Sequence, residues 1–341
     1  MTIPKAEARK ARPRTAFRAL DGIVLLDKPE GLSSNQALQR VRHLLRAAKG
    51  GHTGALDPLA TGMLPLCFGE ATKLAGVLLG SRKAYRAELR LGVTTATGDR
   101  EGEVSQRREV PALDAPMLER ALARFRGRIM QTPPVYSALK QGGEPLYAKA
   151  RRGEAVAVAA REVCIDRLDL LGFDRDSVQL DITCGSGTYI RSLAVDLGEA
   201  LGCGAHLTAL RRLWVEPFAA QPMHALQAFA DAAARGDSAW ASWLMPLESG
   251  AAALPRVDLD AAHAAALGQG RPIKLPVRGA EEICAAFGPD GRLLALGAID
   301  AAGVLHARRG FAIPAATRQT AMPSESCTDD GLVAADPGPL Q

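Results

Sequence analysis

The residues best suited to chemistry lie in one stretch, Gly51-His52-Thr53-Gly54-Ala55-Leu56-Asp57-Pro58-Leu59-Ala60-Thr61-Gly62. Its three glycines permit backbone conformations denied to other residues. Pro58 pushes Asp57 toward an extended conformation and fixes the next φ angle. An Asp on so stiff a bend suits nucleophilic or acid–base work, because a fixed carboxylate loses little freedom on attack. Asp-Pro beside glycines also suits a plain turn, which on spacing alone is the commoner outcome. A second candidate is Gly185-Ser186-Gly187-Thr188-Tyr189-Ile190-Arg191, at a strand-to-helix junction. It matches neither a Walker A loop nor a dinucleotide fingerprint, so no nucleotide cofactor is expected. Arg191 can pair with a carboxylate and keep it ionised, or form an ordinary surface salt bridge. Tyr85, His206 and Leu210 suit either a cleft or the core.

The histidines and the six cysteines (Cys67, Cys164, Cys184, Cys203, Cys284, Cys327) show no C-x-x-C or H-x-x-x-H spacing. They match no zinc template, and reduced, mostly buried thiols are expected. No metal is implied.

The elements that must position these residues read as follows. Residues 22–27 suit a strand closed by Lys28-Pro29. A helix capped by Ser33 or Ser34 runs to about residue 48. Residues 51–62 read as a loop, and a helix follows near 70–79. Residues 83–91 alternate apolar and polar, the mark of a half-buried strand. A helix is predicted over 114–126, strands over 161–171 and 177–184, a helix over 188–201, and a returning strand over 207–215. The segment 131–153, with Thr132-Pro133-Pro134, Gly142-Gly143 and several cations, predicts a mobile surface excursion. Near 247–255 the composition shifts. Beyond it short strand candidates (282–287, 293–299, 304–308, 311–313) are parted by turns at Pro289-Asp290-Gly291 and Ala302-Gly303. That describes a small β-rich module of marginal size.

The chain has 341 residues, 47% hydrophobic and 23% charged, an ordinary globular balance that suggests two domains. No apolar run is long enough to span a membrane, and a secretory signal is not expected. The cytoplasm is the default. Of the net charge of +5, residues 1–20 carry six Lys and Arg against one Glu, whereas 321–341 carry four acids and no Lys or Arg. The first twenty residues therefore read as a disordered basic arm, able to attract polyanions, and those from about 315 as a disordered acidic tail.

GGHTGALDPLATGMLPLCFGEATK closely resembles the catalytic motif of the TruB family, the tRNA pseudouridine-55 synthases. The resemblance extends through GIVLLDKPEGLSSNQAL, KAYRAELRLGVTTATGDREGE, TPPVYSALKQGGEPLYAKARRG and GSGTYIRSLAVDLGEALGCGAHLTALRRL, and more weakly into the C-terminal module. Together these cover most of residues 22–313. The resemblance implies an α+β pseudouridine synthase fold, a mixed and mostly antiparallel sheet flanked by helices, over 21–248. A small β-rich PUA-like RNA-binding domain follows over 249–314. It implies an isomerase that acts without cofactor or metal on uridine 55 in the T stem-loop of tRNA, and a cytoplasmic monomer is expected. By position Asp57 matches the catalytic aspartate, Tyr85 the tyrosine that stacks on the target base, and Arg191 the arginine paired with the aspartate. Tyr189 and Leu210 match substrate-pocket residues. His52 matches the histidine that contacts RNA beside the flipped nucleotide, and Lys28 a basic residue near the site. Residues 131–153 resemble a loop that covers bound RNA. The two charged ends fall outside the resemblance.

Such chemistry fits these residues. Product and substrate are isomers, so neither redox cofactor nor energy source is required. The uracil must leave its sugar, turn and reattach through C5, and Tyr85 is one possible base or relay for the C5 proton. The carboxylate can attack sugar or base, or promote a glycal route. A paired uridine must first be flipped at a cost of a few kcal/mol, which one aromatic stack worth about 1–3 kcal/mol largely offsets. An aromatic content of 4% favours a single-base pocket over an extended stacking platform. Two other readings remain at this stage: a catalytically silent RNA binder, and a glycoside hydrolase, which would need a second catalytic carboxylate near Asp57.

Overall fold

The apolar run Gly22–Lys28 forms β1, flanked on one edge by β3 (Thr61–Phe68) and on the other by the short β13 (His224–Ala225). The computed structural model describes residues 16–312, apart from 138, 155, 237, 277 and 278. β3 continues to β12 (Ala205–Val215), and then the sheet runs through β4 (Lys83–Leu91), β11 (Ser177–Cys184), β10 (Arg161–Phe173) and β7 (Gly127–Gln131). β2 (Gly50–His52) takes the second edge of β3 where β12 diverges, making nine strands. Pairing is antiparallel except β1 with β13 and β3 with β12. The mixed, mostly antiparallel sheet expected from the resemblance is thus present.

Two apolar clusters pack on this sheet. In one, α1 (Ser34–Leu44) and α6 (Leu226–Arg235) bury Ala37, Leu38, Val41 and Phe229 against β1 and β3. In the other, α3 (Ala115–Ala123) and α5 (Ile190–Ala200) cover β4, β10, β11 and β12. α5 sits so close to β12 that a Cβ on Gly198 would lie 2.2 Å from the Ala205 nitrogen. A 3-10 turn over Gly69–Leu74 leads into α2 (Ala75–Leu79). β5 (Val93–Thr95) and β6 (Val104–Arg107) make a hairpin outside the main sheet.

A second, five-stranded sheet runs β14 (Arg256–Asp258), β16 (Glu281–Phe287), β17 (Leu293–Ile299), β18 (Val304–Gly310), β15 (Ile273–Lys274). α8 (Ala261–Gly268) packs on it, and α7 (Ser238–Ala241) precedes it in the chain.

Several expectations are corrected. α1 stops at Leu44, because Arg46 turns left-handed (φ 54°) and Ala47 bonds back to Arg42. His52 belongs to a strand rather than to the loop, and the loop ends where β3 begins at Thr61. Segment 131–153 is not one irregular excursion: it holds the end of β7, a tiny hairpin of β8 (Lys140–Gln141) and β9 (Glu144–Pro145), and α4 (Leu146–Arg151), with Leu146 buried. The basic arm is not free as far as residue 20. Arg18 bridges to Ala47 through two backbone bonds of 2.8 Å and lies over the Trp240 ring. Phe311 and Ala312 form no strand. The rest of the arm, residues 1–15, and the acidic tail lie outside the described residues.

Candidate active site

The loop between β2 and β3 is pinned from several sides. The Ser34 hydroxyl accepts from the Leu56 amide (2.7 Å) and donates to the Leu56 carbonyl (3.1 Å). Leu56 and Leu59 are buried in the second apolar cluster, so the loop is plugged into the core on either side of Asp57. The Ala60 amide closes a turn onto the Asp57 carbonyl (3.0 Å), and the Gly31 amide donates to the Pro58 carbonyl (2.8 Å). Lys28, fully buried at 0% exposure, gives its ammonium to the carbonyls of Pro29 (2.8 Å), Leu32 (2.6 Å) and Pro58 (3.4 Å). Burial lowers the Lys28 pKa to about 8, against the pull of Asp57.

The Asp57 carboxylate meets the second residue of α5. Its Oδ2 lies 3.0 Å from Arg191 Nε, and the Arg191 side chain is 5% exposed. The same guanidinium reaches Asp99 Oδ2 at 3.5 Å and donates to the carbonyls of Thr97 (3.0 Å) and Tyr136 (2.8 Å). Asp99 in turn accepts from the Thr97 hydroxyl (2.6 Å) and the Glu101 amide (3.1 Å). Four bonded oxygens thus fix Arg191 in one orientation, and two carboxylates share its charge. Enclosure pushes the Asp57 carboxyl above the usual aspartate value. Arg191 pulls it down, Asp99 raises it further, and Lys28 lowers it. The outcome is a carboxylate 43% exposed on its open side and held by a buried cation behind.

That open side faces two cavities. The larger, about 550 Å³, is lined by Ser33, Asn35, His52, Thr97, Glu101 and Ser137, with Asp57 and Arg191 at its floor. The smaller, about 70 Å³, is walled by Tyr85, Thr188, Tyr189, Ile190 and Leu210, again with Asp57 and Arg191. Tyr85 and Leu210 meet because β4 and β12 are neighbours: Leu210 pairs with Ala87, and Tyr85 with Arg212 two residues on, so all four share one face. Tyr189 caps α5. Its backbone is clamped by the Gln131 side chain in both directions (2.8 and 3.1 Å), and Arg161 lies 5.1 Å over its ring. Burial raises the Tyr85 hydroxyl pKa, and the Arg212 charge opposes that.

Asp57, Arg191, Tyr85, Tyr189 and Leu210 therefore converge on one small pocket, and His52 stands across the larger chamber. Lys28 lies behind the loop, as an anchor for its backbone. Asp99, Gln131 and Arg212 have no place in the sequence reading, and Ser34, there a candidate helix cap, pins Leu56 while Ser33 caps α1. Arg212 had a legible signal, since a strand period of two carried inward from Leu210 turns Arg212 to the pocket face. Arg211, by the same alternation, turns outward to pair with Asp27 (2.8 and 3.0 Å). Among the described residues, no three His, Cys, Asp or Glu side chains gather where a metal ion could be held.

The comparisons with known proteins bear on this geometry. A model of the TruB family pseudouridylate synthase N-terminal domain matches residues 42–190. The tRNA pseudouridylate synthase B C-terminal domain matches 191–252, and the C-terminal domain of tRNA pseudouridine synthase II matches 254–305. The tRNA pseudouridine synthase B of Xanthomonas euvesicatoria pv. vesicatoria is 57% identical over 300 residues, 88% of this chain and 97% of that protein. The chain belongs to the TruB family. The synthase of the same name from Xylella fastidiosa is 54% identical over 87% of this chain and 98% of its own length. Among solved structures, a Cbf5-Nop10-Gar1 complex aligns with a TM-score of 0.68 at 24% identity, covering 88% of each chain. At that identity the likeness shows a shared fold. Within this TruB-family fold, Asp57 and Arg191 come from the family model's span and its boundary with the next, and the carboxylate–guanidinium contact joins the two matched regions.

Proposed function

We propose that the protein isomerises uridine 55 in the T stem-loop of tRNA to pseudouridine, with Asp57 as the attacking carboxylate. The observation that carries this reading is the Asp57 carboxylate, paired at 3.0 Å with a buried Arg191 and opening onto both a ring-lined pocket and a larger chamber. A uridine flipped from its stack puts its base against Tyr85 and its sugar near Asp57. Attack on the sugar, attack on the base and a glycal route all begin from the same ionised carboxylate, and Arg191 favours that ionised form. Leu210 and Ile190 keep water from capturing the sugar. His52 meets RNA beside the flipped nucleotide, segment 131–153 covers it, and the second sheet, PUA-like, holds RNA further along. Tyr85 and Arg191 beside Asp57 are more than a silent RNA binder requires. Of the other carboxylates in the chamber Asp99 is spent on Arg191, while Glu101 lines the same cavity as Asp57, so a hydrolase is told apart by whether free uracil is released.

The test is chemical adduct mapping of an unmodified tRNA transcript after incubation with the enzyme. A single pseudouridine stop at position 55 is expected. Modification elsewhere only, or release of free uracil, overturns the assignment.

A further inference from the structure

Two buried polar atoms on the walls of the larger chamber have no partner among the described residues, His52 Nδ1 and the Ser137 hydroxyl. His52 already has a place in the RNA reading, and Ser137 has none. Ser137 is 4% exposed, and a buried hydroxyl without a hydrogen bond costs stability. The strip that leads to it is tied to the start of α5 at three points. The Gln131 side chain clamps the Tyr189 backbone, the Ser192 hydroxyl donates to the Thr132 carbonyl (2.7 Å), and Arg191 donates to the Tyr136 carbonyl (2.8 Å). The Ser137 backbone is therefore fixed at the chamber beside the anchor of Arg191. Its hydroxyl is bonded to none of the described residues and turns about a single bond.

The walls select what this hydroxyl meets. The base belongs in the smaller, ring-walled pocket, which Ser137 does not line. The larger chamber presents three carboxylates, Asp57, Asp99 and Glu101, against the single guanidinium of Arg191. Burial lowers the His52 pKa, so the imidazole adds no charge at neutral pH. A phosphate is therefore disfavoured inside the chamber. The ribose remains: it is neutral, and it must reach Asp57, which lines both cavities. Within an RNA strand the 3′ and 5′ oxygens of a ribose are esterified. Its one free hydroxyl is the 2′ group, donor and acceptor at once. We infer that Ser137 is a specificity-determining residue, whose hydroxyl hydrogen-bonds the 2′-hydroxyl of the flipped uridine and so marks the substrate as RNA. The inference rests on the uridine reading above and deepens it. The free protein carries an unpaired group that substrate alone satisfies, a residue kept for recognition at the expense of stability.

The experiment is a cycle of equilibrium binding, read by the anisotropy of a labelled T-arm RNA. The parent protein and its Ser137→Ala variant both carry Asp57→Asn, so that bound uridine is not consumed. Each is titrated with RNA that is ribose throughout, or 2′-deoxyribose at position 54, 55 or 56 alone. Ser137→Ala should bind the all-ribose RNA about 3- to 10-fold more weakly, the scale of one net hydrogen bond. The parent should lose at least that factor with 2′-deoxyuridine at 55, and on that RNA Ser137→Ala should add less than about twofold. With the deoxy sugar at 54 or 56 the full loss from Ser137→Ala should return. Ser137→Ala should also unfold at a urea concentration no lower than its parent, because the oxygen it removes has no partner in the free protein. The inference is overturned if the variant binds all-ribose RNA within about twofold of its parent, or if its loss is undiminished on the 55-deoxy RNA. It is equally overturned if the loss vanishes with the deoxy sugar at 54 or 56 instead, or if the variant unfolds earlier, the sign of a structural partner. Pseudouridine mapping of the all-ribose RNA after incubation with wild type separates the two failures. Pseudouridine at 55 without the coupling removes this contact alone, whereas none at 55 removes the uridine reading and the contact with it.

Discussion

The two sheets bury different things. Around the nine-stranded sheet, Lys28, Lys83, Asp99, Arg191, His206 and Arg212 are all buried. In the five-stranded sheet the buried cluster is Val257, Leu259, Leu267, Ile273, Leu275, Cys284, Ala286, Ala295, Ile299 and Leu305, entirely apolar. Both sheets bury apolar side chains, so the hydrophobic effect does not account for the difference. Buried ions are costly, and replacing them with apolar residues is often neutral or stabilising. Around the nine-stranded sheet such groups are retained, Arg191 beside Asp57 and Lys28 on the carbonyls that anchor its loop. The second sheet instead carries its arginines, Arg308 and Arg309 among them, exposed on β18. That is where side chains can neutralise phosphates without desolvation.

Breaking the buried network should therefore do most damage. Arg191→Ala leaves Asp57 and Asp99 facing each other without a cation, so stability should fall by about 3–5 kcal/mol. Urea unfolding measures this, and the isomerisation rate should fall steeply in the fraction that stays folded. A loss below 1 kcal/mol would show that the ion triad is not a structural unit. The smaller effect belongs to the second sheet. Arg308→Ala with Arg309→Ala should leave the rate at saturating RNA unchanged and reduce the salt dependence of binding by about one unit of slope for each arginine. An unchanged slope would mean that β18 does not touch the RNA backbone.

The same contrast governs what the sequence allowed to be read. The second sheet was legible because its turns are local. Gly291 (φ 76°) and Gly303 (φ 74°) adopt the left-handed conformations that Pro-Asp-Gly and Ala-Gly announce. β4 was legible because alternate residues of Lys83–Leu91 face core and solvent. β3 was not: it is buried along nearly its whole length, so it shows no alternation, and Gly62 and Pro65 imitate loop residues. Gly62 is there for packing, since a Cβ would lie 2.1 Å from the Arg212 carbonyl. Pro65 brings no amide to the strand, and its carbonyl receives the Thr53 amide (3.2 Å). α8 was missed although Asp260 caps it through the His263 amide (2.8 Å). At the site, Asp57 stood out by its bend and Arg191 by its junction. Asp99, Gln131 and Arg212 act through contacts with residues 58 to 158 positions away, which no local pattern encodes.

In the proposed reaction the Asp57 carboxylate opens the glycosidic exchange, and the walls of the two cavities bind and orient the uridine. Single-turnover isomerisation by Asp57→Asn, measured beside RNA affinity, tests it most directly. The amide keeps the size and loses the charge. The rate is expected to fall at least about 10⁴-fold below wild type, the scale on which a covalent nucleophile is lost, with affinity within about threefold. A variant that isomerises uridine within about tenfold of wild type would contradict it.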